Sequence, residues 1–267
     1  MEDLREFISS LAREAGENAK SMRATLSADD VACKATATDI VTAADKATEK
    51  LIFDRIREKY PEHRFFGEET GHSDDTASPY CWIVDPIDGT VCYLHNCHTW
   101  TVSIALYKGD EGVASAVYAP MLDELYVAIA GQGATLNGRP IHVDSGCRTL
   151  GEAMVVTGFA CVRAGWKKLN NLSYFNRIAP ESRSVLRLGS AALDLCYVAS
   201  GRCHVSWELC LNPYDVCGGA LLVKEAGGKV TDLRGDSDWP YQGIIATNGE
   251  LHDTMLEFFR GYERPEK

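Results

Sequence analysis

From residue 82 onward the chain breaks into short apolar runs, "WIVD", "TVSIALY", "GVASAVYAP", "ELYVAIA" and "GATLNG", bounded by turn formers. Beyond residue 150 such runs alternate with helical patterns. "AMVVTGF", "SVLRL", "CHVSWEL" and "GIIAT" read as strands, while "KKLNNLSYFNRIA", "SAALDLCYVASG", "YDVCGGALLVKEAGG" and "ELHDTMLEFFRGY" read as helices. Ser190 is the expected cap of the second of these helices, and the Gly227-Gly228 pair stops the third. Alternation of this kind points to layers of helix packed on layers of sheet, an α/β fold. The opening residues agree, because Leu4, Phe7, Ile8, Leu11 and Ala15 fall at helical spacing. A second helix is expected over "DKATEKLIFDRIREKY", with Asp45 near its start and Pro61 closing it. "HRFFGEETG" reads as a short strand leaving into a loop, "SDDTASP" as a flexible polar segment, and Asn137-Gly138 as a hairpin turn.

A length of 267 residues fits one domain made of two packed halves, about 1–145 and 146–267. The net charge of −11 disfavours nucleic acid and anionic membranes, both of which need clustered Lys and Arg. "MEDLREFISSLAREAGENAK" is charged and amphipathic, unlike a secretory leader, and no apolar run approaches the roughly 20 residues of a membrane span. A cytoplasmic protein is expected. Ten cysteines suggest disulfides or zinc, but a reducing compartment and the missing second half of "HNCHTW" (His95, Cys97, His98) argue against both. Most of the thiols read as small core residues.

The stretch "WIVDPIDGTVCYLH" (82–95) carries the chemistry. Asp-Pro and Asp-Gly are ordinary turn formers, and alone they mean only a turn. Other acids also sit at element boundaries: Asp45 at a helix start, Glu68 and Glu69 in a glycine-flanked loop, and Asp215 opening a helix after Asn212-Pro213. Singly each is a commonplace cap or a solvated loop acid. Together they suit Mg²⁺, which takes hard oxygen ligands and is usually held by one or two carboxylates plus substrate phosphate. Two ions about 3.5–4 Å apart need a bridging carboxylate and can hold both oxygens of an in-line displacement. "DPID" offers two carboxylates and the Ile87 carbonyl between them, and the following Gly89-Thr90 offers N–H donors to a phosphate.

At this point the chain resembles the inositol monophosphatase family, lithium-sensitive and magnesium-dependent phosphatases. The resemblance runs through "DIVTAADKATEKLI", "FFGEET", "WIVDPIDGTVCYLH", "VSIAL", "RLGSAALDLC", "WELCLNPYDVCGGALLVKEAGG" and "IIAT". It implies the layered α-β-α-β-α sandwich of the sugar phosphatases. It implies two or three Mg²⁺ ions, the first held by Glu68, Asp85 and the Ile87 carbonyl, the second by Asp85, Asp88 and Asp215. Asp45 and Thr90 match the pair that orients an attacking water activated by the metal, with direct in-line hydrolysis and no phosphoenzyme. Asp88, Gly89, Thr90, Gly189, Ser190 and Glu208 match substrate-binding positions, and Lys34 a lysine near the metal loop. A homodimer acting on a small phosphorylated polyol or sugar is the implied working form.

Three positions depart from the family pattern. Tyr214 stands where Trp is usual before the last ligand, "VCGG" where Val-Ala-Ala-Gly is common, and Val91-Cys92 where Thr-Asn is frequent. None removes a ligand, but all bear on pocket shape. Inositol 1-phosphate is the expected substrate. Fructose 1,6-bisphosphate or another sugar or nucleotide phosphate is the alternative within the same chemistry, and a non-catalytic scaffold is the alternative outside it.

Overall fold

The computed structural model describes residues 2–25, 31–33, 40–73, 76–165, 170–236 and 243–261. The chain opens with α1 (Glu2–Arg23), a two-stranded antiparallel pair β1 (Val31–Cys33) and β2 (Ile40–Thr42), and α2 (Ala43–Lys59). Then follow β3 (Arg64–Gly67), β4 (Gly71–Ser73), β5 (Tyr80–Asp88), the short α3 (Thr90–Leu94), β6 (Thr101–Lys108), β7 (Glu111–Ala119), β8 (Glu124–Ile129), β9 (Ala134–Leu136) and β10 (Arg139–Ile141). The strands β3 to β10 form one eight-stranded sheet in the order β10-β9-β8-β7-β6-β5-β3-β4. All its neighbours are antiparallel except β3 and β5.

The second half supplies β11 (Met154–Thr157), α4 (Ala160–Arg163), α5 (Asn171–Ile178), β12 (Ser184–Leu186), α6 (Ala191–Ala199), β13 (Val205–Leu209), α7 (Pro213–Glu225), β14 (Lys229–Thr231), β15 (Gly243–Thr247) and α8 (His252–Phe258). Its strands make a five-stranded mixed sheet in the order β12-β11-β13-β15-β14. The result is a five-layer sandwich. Helices α1 and α2 cover one face of the large sheet, α6 and α7 fill the space between the two sheets, and α4, α5 and α8 close the far side.

Period-two alternation builds the three apolar interiors. On β7, Ala116 and Tyr118 face the α1/α2 layer while Val117 and Ala119 face α6/α7. On β15, Ile244 and Ala246 face the middle layer and Ile245 the outer one. Strands covered on both faces read as continuous apolar runs, which is why they were legible in the sequence. The Asn137-Gly138 hairpin is present between β9 and β10, with both residues at positive φ (48° and 77°), as a two-residue type I′ turn requires.

The structure departs from the sequence reading at "DPID". The strand does not end at Asp85. It runs on to Asp88, and the register against β6 slips between Asp85 and Asp88, so Pro86 sits in a β-bulge rather than in a turn. The segments around Lys34 and at residues 74 and 75 of "SDDTASP" lie outside the described residues. No helix among the described residues is long and apolar enough to cross a membrane. Cys92, Cys147, Cys161, Cys196, Cys203 and Cys217 are buried thiols without disulfides, as expected of core residues.

Helix α7 is wedged between the large sheet and α6, and two glycines make the fit. A Cβ on Gly218 would lie 2.5 Å from Ser103 Oγ, and one on Gly219 2.5 Å from Leu195 Cβ. Glycine inside a helix costs about 1 kcal/mol relative to alanine, so close approach is what these two supply. Gly219→Ala is therefore expected to destabilise the fold by about 1–3 kcal/mol despite its better helix propensity. Urea unfolding measures this, and an unchanged or raised midpoint would refute the packing argument.

Candidate active site

The β-bulge turns Asp85 and Asp88 toward one spot. Asp85 is 2 % and Asp88 8 % exposed. Asp85 Oδ1 accepts the Ile87 N–H at 3.0 Å, which closes the bulge on itself. Asp88 Oδ2 accepts the Ser190 hydroxyl at 2.6 Å and the Ala192 N–H at 2.7 Å, so the bulge of the large sheet is tied to the start of α6. Asp215 arrives from α7, where its Oδ2 accepts the Asn212 N–H at 2.5 Å. Asp85, Asp88 and Asp215 each offer a carboxylate oxygen, and the three oxygens lie within 4.8 Å of one another. Glu68, in the loop after β3, hydrogen-bonds Asp85 and lines the same cavity.

Asp45 comes in from α2. It is buried, and its Oδ2 accepts both the Thr42 N–H (2.8 Å) and the Thr42 hydroxyl (2.6 Å) in a capping box. Its other oxygen accepts the Thr90 hydroxyl at 3.3 Å, and that hydroxyl is also 3.3 Å from the Ile87 carbonyl. Asp45 and Asp215 thus use one oxygen to cap their own helix, and the second is left for the site. The chain folds back after Asp88 through Gly89, at φ 91°, into α3. A Cβ on Gly89 would meet the Gly189 carbonyl at 3.0 Å, so glycine serves both the left-handed turn and the tight crossing.

Beyond the acids lies a cavity of about 290 Å³, near the lower bound of about 300 Å³ for small-ligand sites. Gly189, Ser190, Glu208, Arg163, Arg187 and Tyr214 line it. Glu208, 7 % exposed, accepts the Ala160 N–H at 3.0 Å. Tyr214 packs edge-on against Phe66, ring centroids 5.7 Å apart, so the departure from Trp is filled by an aromatic contact. The structure therefore brings Asp45, Glu68, Asp85, Ile87, Asp88, Gly89, Thr90, Gly189, Ser190, Glu208 and Asp215 into one region, while Lys34 lies outside the described residues. Among the described residues the "HNCHTW" segment contributes no metal-binding group.

Among the buried acids that escaped the sequence reading, two bear on the site. Glu49, one turn along α2 from Asp45, accepts the Glu69 and Thr70 N–H groups, each at 2.8 Å, and so fixes the loop that carries Glu68. The i,i+4 spacing of Asp45 and Glu49 was the available signal. Asp194 is a lone acid in the otherwise apolar "AALDLCYVA".

Electrostatically the cluster is under strain. Burial, then the charges of Glu68, Asp88 and Asp215, push Asp85 well above the usual carboxylate range. Burial, then Asp88, does the same to Asp215. Burial raises Asp88 too, against hydrogen bonds from Ser190 and Ala192 that hold it down. Burial lifts Glu208 to about 7, opposed by the Ala160 N–H and Arg163. Converging, partly desolvated oxygen donors that repel one another are what a hard divalent cation relieves, so the residues present fit a metal.

The sequence profile of the inositol monophosphatase family matches residues 1–263. Inositol monophosphatase 1 of Solanum lycopersicum is 40% identical over 225 residues, covering 82% of each chain. Nus factor SuhB of Escherichia coli is 40% identical over 224 residues, covering 83% of each. The structure of inositol monophosphatase from Anabaena (Nostoc) sp. PCC 7120 superposes with a TM-score of 0.86 at 34% identity, covering 99% of this chain and 97% of that one.

A carboxyl whose folded pKa lies above its unfolded value holds an extra proton when folded. Its stabilising share is present at low pH and is lost as pH rises through the folded pKa. For Asp85 and Asp215 that window opens at the ordinary 3.8 and continues upward. The rise in Tm on adding a divalent cation is therefore expected to grow with pH. Asp85→Asn is expected to raise the metal-free Tm by about 2–4 °C per kcal/mol of repulsion removed and to blunt the cation response. Calorimetry with and without Mg²⁺ from pH 5 to 8 reads both, and a pH-independent cation response kept in the variant would refute the account.

Proposed function

The chain belongs to the inositol monophosphatase family and is a phosphatase, and we propose that it hydrolyses inositol 1-phosphate with Mg²⁺. One observation carries the reading. Three carboxylate oxygens from Asp85, Asp88 and Asp215 converge within 4.8 Å, and Asp88 and Asp215 line a cavity sized for a small phosphate ester.

In this reading Glu68, Asp85 and the Ile87 carbonyl would hold one Mg²⁺, Asp85, Asp88 and Asp215 would hold a second, and a third ion is part of the proposal. When bound, the ions lower the pKa of a water and offset charge on the phosphate and the leaving oxygen. The rest is the chain's own work. Asp45, fixed by its capping box, accepts the Thr90 hydroxyl, which sets the direction in which that hydroxyl presents to the attacking water. The Thr90 oxygen can take the water's proton as its own hydroxyl proton passes to Asp45. Gly89 and Thr90 N–H groups receive phosphate oxygens, so donors are in place before charge develops. Glu208, Gly189 and Ser190 hold the alcohol part. Arg163 and Arg187, on the cavity wall, give an otherwise acidic site a cationic approach for an anionic ester.

Both halves of the chain are needed, the first for Glu68, Asp85, Asp88 and Thr90 and the second for Asp215 and Glu208, so 1–267 acts as a single catalytic unit. A cytoplasmic homodimer is the proposed working form. Two arginines beside the cavity also keep a bisphosphorylated sugar such as fructose 1,6-bisphosphate as the second reading.

Phosphate release from myo-inositol 1-phosphate and fructose 1,6-bisphosphate, in Mg²⁺ and in chelator, tests the reading. Chelator should abolish release. Asp88→Asn and Thr90→Ala should lower kcat by about 10²–10³-fold, the range for losing one electrostatic stabiliser. Preference for the bisphosphate would keep the mechanism and replace the substrate. Full activity in Asp88→Asn would refute the metal site.

A further inference from the structure

Asp194 is the fourth residue of α6, and its own N–H bonds the Ser190 carbonyl in the ordinary helical way. Among the described residues its side chain has no such partner. The residue is 3 % exposed, its Oδ1 is sealed from solvent without a hydrogen bond, and no described residue donates to its other oxygen. The usual work of an acid near a helix start is already done. Ser190 Oγ takes the Leu193 N–H at 3.1 Å, and Asp88 takes the Ala192 N–H. Asp45 and Asp215 each receive a backbone N–H near their helix starts, and Asp194 receives none.

A buried carboxyl without a donor is costly, and nearly all such groups in native proteins are satisfied. This one lines the cavity together with Glu208 and Arg187. Leucines flank it on α6, so an apolar residue would fit the local pattern. Among the described residues none donates to this carboxyl, and because Oδ1 is sealed, it is the other oxygen that a donor in the cavity would have to reach.

We propose that Asp194 is a specificity-determining residue whose carboxyl takes a hydrogen bond from a hydroxyl on the alcohol part of the substrate, beside Glu208. This rests on the phosphatase reading above and extends it. With two buried carboxyls facing the alcohol, the cavity selects polyhydroxylated phosphate esters and leaves an ester lacking hydroxyls with unpaired acceptors, the arrangement that discriminates best.

The test compares kcat/KM for myo-inositol 1-phosphate and phenyl phosphate in Mg²⁺ for the unmodified chain, Asp194→Leu and Asp194→Asn, with Tm for each. In Asp194→Leu the ratio of inositol phosphate to phenyl phosphate should fall by about tenfold, the value of one hydrogen bond. Asp194→Asn keeps a polar group of the same shape, and should retain part of the ratio. Tm should hold or rise in both variants, because an unpaired buried acid is removed. Equal losses on both substrates, an unchanged ratio, or a Tm several degrees lower in both variants would overturn the proposal and make Asp194 structural. If Asp194→Leu does not fold, a ratio in Asp194→Asn equal to that of the unmodified chain overturns it, and a lowered ratio supports it. Release of phosphate from neither substrate by the unmodified chain would defeat the phosphatase reading itself, and this proposal with it.

Discussion

The repulsion among Glu68, Asp85, Asp88 and Asp215 is the constraint around which the rest is arranged. Acids this close, with Asp85 and Asp88 buried, cannot all stay charged without help, and the raised pKa directions of the three aspartates record that conflict. Nothing in a folding chain brings such groups together for stability. Each must be held by something stronger than the repulsion. Asp85 and Asp88 are held by a strand that pairs with β6 along most of its length and sits between two apolar layers. Asp215 is held by a helix wedged against both sheets. The three apolar interiors supply the rigidity, and the site sits where β5, α7 and the start of α6 meet.

Helix starts serve twice in this architecture. Asp45 and Asp215 are the third residues of their helices, and each accepts the N–H of its own capping residue. One oxygen is spent on local structure, which freezes the side chain, and the other is presented to the site. Asp88 extends the device across layers by accepting Ser190 and Ala192 at the start of α6. A ligand held this way has little rotamer freedom left to lose, so preorganisation comes from ordinary capping chemistry.

Much of this was legible in the sequence, and the parts that were not share a cause. Strands buried on both faces announce themselves as apolar runs, and the helices between them by period and caps, so the layers followed. The bulge did not. Asp-Pro and Asp-Gly resemble a turn to any local rule, and only pairing with β6 on one side and β3 on the other shows that the strand continues. The five-residue α3 is too short for periodicity to register. The site acids were found by asking which carboxylates stood at element boundaries, and by family resemblance. Glu49 was missed because it stands inside a helix and acts through the loop it holds. Asp194 was missed because a lone acid in an apolar helix is weighed against its neighbours in sequence, while that its Oδ1 is buried without a donor among the described residues shows only in three dimensions.

Glu49 shows how far the constraint reaches. A carboxylate on α2 binds the backbone of the Glu68 loop, and the loop can come that close only because residue 67 is glycine, where a Cβ would lie 2.4 Å from Glu49 Oε2. The same helix, one turn earlier, aims Asp45 at Thr90. A single rigid element therefore sets both the acid beside the attacking water and the position of a metal ligand on a separate loop. Any shift of α2 against the large sheet moves both together, and their spacing is kept. That packing rests on Ala44, Ile52 and Ile56 against Trp82, Val84 and Phe65, residues with no chemistry of their own. The apolar layer under α2 belongs to the site as much as the acids above it.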